Sequence, residues 1–236
     1  MKESNLILKE GLRIKAEYER REREIDQDLY APWQPGEILM LSERKRTAAL
    51  MLDQIKRFPK AGERCLEIGY GKLGWLADFI SWGMRETDLY GIELDPRRAE
   101  IAQTALPNAH LKVGDATELP WRDDCFDFVV ASTVFSSILD LTVRKSIANE
   151  MTRVLARKGV VIIYDASINN PGNKSFMRVK QNEIRAMFPD LSCQFRSSTL
   201  APPIARFVAK RSWVLAEILS SISLLRTHFL AVLSRQ

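Results

Sequence analysis

Between residues 64 and 165 short apolar runs alternate with helical stretches, and this alternation constrains the fold more than any other feature of the chain. Strands are expected over 64–68, 88–94, 109–114, 126–132 and 160–164. A helix over 76–82 is closed by Gly83, and Asp95-Pro96 supplies the cap and first-turn proline of another that runs to about Leu106. A third presents Ile147, Met151, Val154 and Leu155 on one face, with Arg157, Lys158 and Gly159 at its end. Such a pattern folds as an α/β, doubly wound, mostly parallel sheet with helices on both faces and right-handed crossovers.

The ends of the chain read differently. Stretches 191–199 and 228–233 look like strands, with a mostly apolar helix between them near 204–225. They bring the sheet to seven strands, one late strand being antiparallel. No strand signal precedes residue 64. Residues 14–28 are dense in Glu and Arg, as in an exposed helix, and Ala31-Pro32-Trp33-Gln34-Pro35-Gly36 breaks it. A second helix follows with Leu39, Leu50, Met51 and Ile55. Residues 1–56 therefore form an N-terminal helical cap, and residues 57–236 the α/β domain.

Composition narrows the chemistry. A chain of 236 residues buries a core without staples, and Cys65, Cys125 and Cys193 are too few and too scattered for a disulfide scaffold or a thiolate zinc site. His110 and His228 are the two histidines, so no metal centre is expected. No leader-like N-terminus and no run of ~20 apolar residues is present, which suits a cytoplasmic protein. Residues 1–30 carry seven Lys/Arg and eight Asp/Glu, whereas residues 171–236 carry ten against three. That basic excess is a solvated face or the mark of an anionic partner. No nucleic-acid motif accompanies it.

The chemistry sits at the first strand-to-helix turn, Glu67-Ile68-Gly69-Tyr70-Gly71-Lys72-Leu73-Gly74. Glycines there let the backbone pass close to a ligand. Glu93, nineteen residues after Gly74, ends the second strand, where a carboxylate accepts both hydroxyls of a ribose. Read literally, Gly69, Gly71 and Gly74 also fit the dinucleotide fingerprint, so a nicotinamide-dependent dehydrogenase stays open.

Three features point elsewhere. Glu67 stands two residues before the first glycine. Gly114-Asp115-Ala116 ends the third strand, ahead of Glu118-Leu119-Pro120-Trp121 and Cys125-Phe126-Asp127-Phe128-Val129-Val130. Met151-Thr152-Arg153-Val154-Leu155 leads through Gly159 into the fifth strand. Together these resemble the class I S-adenosylmethionine-dependent methyltransferases of the small-molecule type, over roughly residues 64–235. The resemblance implies a Rossmann-like fold with S-adenosylmethionine as cofactor. Glu67, Gly69, Tyr70 and Gly71 would form the loop under its methionine part. Glu93 would take the ribose, with Leu94 beside it, and Asp115 with Ala116 the adenine. Ser132 and Thr133 would line the methyl-transfer cleft. The departure is Leu73, where the family more often has its third glycine; Gly74 comes one residue late.

Further segments (Tyr30-Ala31-Pro32-Trp33, Thr133 through Asp140, Asn169-Asn170-Pro171, Thr199 through Pro203 and Leu225 through His228) resemble a bacterial subgroup associated with glycan gene sets. This implies O-methylation of a sugar or other small-molecule hydroxyl, which needs a base. His228 is the candidate, with Asp165 as base or orienting partner, against the plain reading of a strand-end histidine. Asn169 and Asn170 are candidate acceptor-binding residues or an ordinary loop. The stretch 204–225 is a lid over the acceptor, or a helix lying on a membrane interface. A non-catalytic adenosyl-ligand binding module is the remaining alternative.

Overall fold

The computed structural model describes residues 2–170 and 172–235; Met1, Gln236 and Pro171, the last quoted above in an Asn-Asn-Pro segment, lie outside the described residues. Seven strands form one sheet: β1 (Cys65–Ile68), β2 (Leu89–Glu93), β3 (His110–Val113), β4 (Phe126–Ser132), β5 (Leu155–Ala166), β6 (Ser192–Leu200) and β7 (Arg226–Ser234). Their order is β3-β2-β1-β4-β5-β7-β6. Strands β1 to β5 pair in parallel, and β7 runs antiparallel to both β5 and β6. The expected mostly parallel seven-stranded sheet with an antiparallel late strand is what forms.

Among the described residues eight α-helices surround it: α1 (Lys2–Glu24), α2 (Pro35–Gln54), α3 (Leu76–Ser81), α4 (Pro96–Ala105), α5 (Leu141–Val154), α6 (Gln181–Met187), α7 (Pro202–Ala209) and α8 (Trp213–Ser221). One sheet face buries Leu66, Ile68, Val129 and Ile163 against Ile147 and Met151 of α5 and Ile184 of α6. The other buries Cys65, Phe128 and Ile162 against Met51 and Leu52 of α2, Phe79 of α3 and Ala102 of α4. The two N-terminal helices thus do different things. α2 is packed on the sheet, whereas Ile7 and Ile14 of α1 rest on the opposite cluster.

Three expectations need correction. The helix read from Ile147 to Gly159 ends at Val154, and Leu155 is already extended and paired with Phe126. The register then shifts between Phe126 and Phe128. Gly159 serves that irregular stretch, because a Cβ there would meet Leu155 and the Ala156 carbonyl. The apolar stretch 204–225 is not one helix but two, since the Ser212 hydroxyl accepts the Leu215 N–H at 3.2 Å and starts α8 afresh. Helix α6 lacked a signal in the sequence reading; it is seven residues long with Ile184 as its one buried residue.

Gly36 sets the approach of α2 to α7. A Cβ placed on it would lie 2.7 Å from the Arg206 Cα and 3.0 Å from its backbone nitrogen, atoms that cannot move aside alone. Gly36→Ala is therefore expected to cost about 1–3 kcal/mol through overpacking, despite the gain in helix propensity. Urea denaturation measures it; a stability equal to wild type would show that the two helices separate freely.

Candidate functional site

The carboxyl ends of β1, β2 and β4 meet at one end of the sheet, where open α/β sheets hold their ligands. The loop after β1 is held by two buried carboxylates. Glu67, wholly buried, accepts the Trp75 N–H on both oxygens at 3.0 and 2.8 Å. Burial pushes its pKa up to about 8, opposed by the Trp75 N–H and the Arg44 guanidinium. Glu93 accepts the Gly71 N–H at 2.8 Å and the Asp95 N–H at 3.0 Å, one on each oxygen. Gly74 has φ +56°, and a Cβ there would collide with the Glu67 carboxylate. The late glycine is thus the one that lets Trp75 reach Glu67. Gly71, at φ +62°, lies under the Arg98 guanidinium, and a Cβ would run into it.

A cavity of about 110 Å³ opens above these strand ends. It brings together Gly69, Glu93, Leu94, Asp115, Ala116, Ser132 and Thr133, all foreseen from the sequence. Asp115 Oδ1 accepts the Thr117 N–H and hydroxyl, both at 2.8 Å, and Oδ2 has no hydrogen-bond partner among the described residues. Thr133 has φ +54° and donates its hydroxyl to the Ser132 carbonyl at 2.7 Å, an irregular turn at the mouth of β4.

Other foreseen residues stand apart from the cavity. The Tyr70 ring packs over Gly91 in the core, and its hydroxyl donates to the Lys112 carbonyl at 3.2 Å, so its side chain supports the sheet rather than facing a ligand. Asn169 Oδ1 accepts the Arg178 N–H at 2.8 Å and Asn170 Oδ1 the Gly172 N–H at 3.0 Å; both shape an exposed loop. Asp165 and His228 do not meet. Register pairs Asp165 with Phe229 and Ala166 with His228, and successive strand residues face opposite sides. Asp165 lies in the α5 face, wholly buried, accepting the Ser136 N–H at 3.2 Å and the Ala166 N–H at 2.8 Å. Burial pushes it up to about 6. His228 lies on the other face, stacked on Tyr164 with centroids 5.0 Å apart and 1° between planes. Its Nδ1 is 3.0 Å from the Thr227 hydroxyl, and burial pulls its pKa down to about 4.

Sequence reasoning missed the wall that α1 contributes. Ile7, Glu10, Gly11, Ile14 and Tyr18 all line the cavity, beside the residues foreseen for the cofactor. Glu10 accepts the Leu139 N–H at 2.6 Å, and Arg13 donates to the Ser137 carbonyl at 2.5 Å, pinning α1 across the end of the sheet. Arg98 lies 4.1 Å from the Tyr18 ring centroid, and Arg97 pairs with Glu19 and Glu22. Arginines in the first turn of α4 oppose the helix dipole, and that mismatch was the signal available in the sequence. Ligand sites commonly measure ~300–1,000 Å³, so α1 and Arg98 leave this cavity smaller than that class of site.

Residues 66–163 match a family model described as a methyltransferase domain. A demethylmenaquinone methyltransferase of Thermotoga maritima is 29% identical over 133 residues, 56% of this chain and 53% of that protein. Norajmaline N-methyltransferase of Rauvolfia serpentina is 27% identical over 152 residues, 58% of this chain and 50% of that protein. The chain spans about half the length of these curated relatives. The solved structure of a SAM-dependent methyltransferase from Thermotoga maritima aligns with TM-score 0.62 and 16% identity, covering 93% of this chain and 98% of that one, which bears on the fold alone.

The contact between α1 and Arg98 is measurable. A double-mutant cycle of Tyr18→Ala and Arg98→Ala, read by chemical denaturation, is expected to give a coupling of about 1–2 kcal/mol, as for a desolvated cation–π pair. Additive effects would show that α1 does not rest on Arg98.

Proposed function

We propose, for a chain whose residues 66–163 match a methyltransferase domain, that it is a class I S-adenosylmethionine-dependent enzyme transferring a methyl group to an oxygen of a small-molecule acceptor, a sugar or glycan hydroxyl being the first class to test. The observation that carries the cofactor reading is Glu93. Its two oxygens each hold one backbone N–H and keep lone pairs for a vicinal diol, with Asp115 and Ala116 next along the same cavity. The dehydrogenase reading of the glycine pattern is set aside, because the matched family is a methyltransferase domain and Glu67 is committed to Trp75 beneath the loop.

When bound, S-adenosylmethionine supplies a methyl group already activated on a sulfonium. What remains for this chain is to bind, orient and remove a proton. Glu93 would hold the ribose, and Asp115 Oδ2 with the Ala116 N–H the adenine edge. Gly69 and Gly71 would leave room for the methionine part, while Ser132 and Thr133 line the acceptor side. Neither candidate base lines the cavity; of the two, His228 is the one whose side chain is not committed to backbone N–H groups. Both Asp165 oxygens already accept backbone N–H groups, one of them holding the turn at Phe135–Ser137. The His228 ring is neutral near pH 7. In the tautomer whose Nδ1 donates to the Thr227 hydroxyl, the Nε2 lone pair has no partner among the described residues.

Calorimetry tests the cofactor. S-adenosylhomocysteine is expected to bind and NADH not to, and Glu93→Ala, checked for an unchanged melting profile, should weaken the former by about 1.5–3 kcal/mol. Equal affinity in that variant would remove Glu93 from the ribose.

The pH profile separates the bases. A base works when unprotonated, so turnover through His228 rises as pH passes about 4 and is flat from about 6 to 8. Turnover through Asp165 would instead rise through about 6. A flat profile together with a loss of about 10²–10⁴ in kcat for His228→Ala is the expected result. An inflection near 6 that survives in His228→Ala would transfer the role to Asp165.

A further inference from the structure

From residue 202 onward the chain carries five Lys/Arg against one carboxylate, Glu217. The structure shows where those charges go. Arg206 is tied to Glu37 at 2.8 Å, Arg226 to Glu43 at 3.4 Å, and Glu217 turns toward Arg46 at 3.5 Å. Lys210 and Arg211 remain exposed at the turn between α7 and α8, without a carboxylate partner among the described residues. Arg211 lies 3.7 Å from the centroid of the Phe207 ring.

Around this turn lies a band of large apolar side chains that nothing in the chain covers. α8 buries Ala216 and Ser220 against its neighbours and presents Val214, Ile218 and then Ile222 on the far side, at i, i+4 and i+8. Val214 is 71% exposed, Phe207 60% and Leu224, just beyond α8, 87%. Trp213, also exposed, lies in the chain between the two cations and Val214. Soluble surfaces seldom expose so continuous an apolar strip. No helix of the described chain is long and apolar enough to cross a membrane.

We propose that the α7–α8 segment is a docking surface for an anionic lipid bilayer. Its apolar side chains would enter the headgroup–acyl boundary, with Lys210 and Arg211 against lipid phosphates. An apolar strip edged by an aromatic ring and by cations without carboxylate partners, its one acidic residue paired with Arg46, is the arrangement that lies in such an interface. The placement gives the surface a use. β6 runs into α7, and β7 leaves from the end of α8, so the segment sits at the end of the sheet where β1, β2 and β4 deliver the cavity residues. A bilayer docked there would lie beside the cavity's end of the molecule. The inference rests on this surface alone and holds whether or not the acceptor is a lipid.

Vesicle flotation of the whole chain tests it. The protein should float with phosphatidylcholine vesicles containing phosphatidylserine and remain largely free with phosphatidylcholine alone. Amide exchange should slow over residues 207–224 on vesicle addition. Lys210→Gln with Arg211→Gln should lower the partition coefficient by about fivefold per charge. Val214→Glu with Leu224→Glu should abolish flotation, while S-adenosylhomocysteine affinity and the melting profile stay as in wild type. Failure of the wild-type chain to float with the anionic vesicles would overturn the proposal. So would equal partition of the variants, or a wild-type dimer in sedimentation that the Val214→Glu and Leu224→Glu pair dissociates, since a second copy would then be what covers the strip.

Discussion

Everything at the cavity depends on a loop held from two sides by buried carboxylates. Glu67, at the end of β1, takes the Trp75 N–H from beneath, and Glu93, at the end of β2, takes the Gly71 and Asp95 N–H groups from the side. These backbone hydrogen bonds offset part of the cost of burying two acids. They also fix where the backbone passes. Gly69, Gly71 and Gly74 all have positive φ, so the loop turns back on itself between the two acids instead of running straight into α3. A ligand at the strand ends therefore meets a surface of preset backbone, and Glu93 serves both the loop and the cavity.

Much of this was legible because it is local. The alternation of apolar runs gave β1 to β4 within a residue, and the spacing of Glu67, Gly69, Gly71 and Glu93 placed them on adjacent strand ends. The third glycine shows what spacing leaves out. Counted against a pattern, Gly74 is one residue late. In the fold its position is set by the Glu67 carboxylate, which sits where any Cβ at residue 74 would be. The helix boundary at Val154 was misplaced for a related reason. Leu155 continues the helical apolar face in sequence, but its pairing with Phe126 needs an extended backbone, and tertiary pairing prevails over periodicity.

What failed was non-local. Asp165 and His228 were expected together because antiparallel β7 starts where β5 ends, and that topology is correct. The pairing of the two residues depends on register parity, and a shift of one residue moves a side chain through the sheet. Asp165 thus falls with Phe229 on the α5 side and His228 with Tyr164 on the other. No composition or spacing carries that parity. The same holds for the 168–174 loop, where Asn169 and Asn170 spend their carbonyl oxygens on Arg178 and Gly172.

The helix α1 lay between these cases. Its dense Glu and Arg read as a solvated face, and part of it is one, as the Arg20 pairs with Glu17 and Glu24 show. Ile7, Gly11 and Ile14 form a different stripe, at i, i+4 and i+7, turned onto the cavity. The start of α4 explains why that stripe is held there. Asp95 caps α4, yet the next two free positions carry Arg97 and Arg98, where the helix dipole favours acids. That choice is unfavourable for α4 alone and becomes favourable once α1 is present. Arg97 then faces Glu19 and Glu22, and Arg98 lies between the Tyr18 ring and the Glu93 carboxylate. The pair thus joins the core to α1, with Arg97 also reaching the capping Asp95 at 3.0 Å. Because Arg98 sits over Gly71, the residue that secures the helix also stands in the space a ligand would take. One guanidinium thus belongs both to the contact that holds α1 and to the space above Gly71.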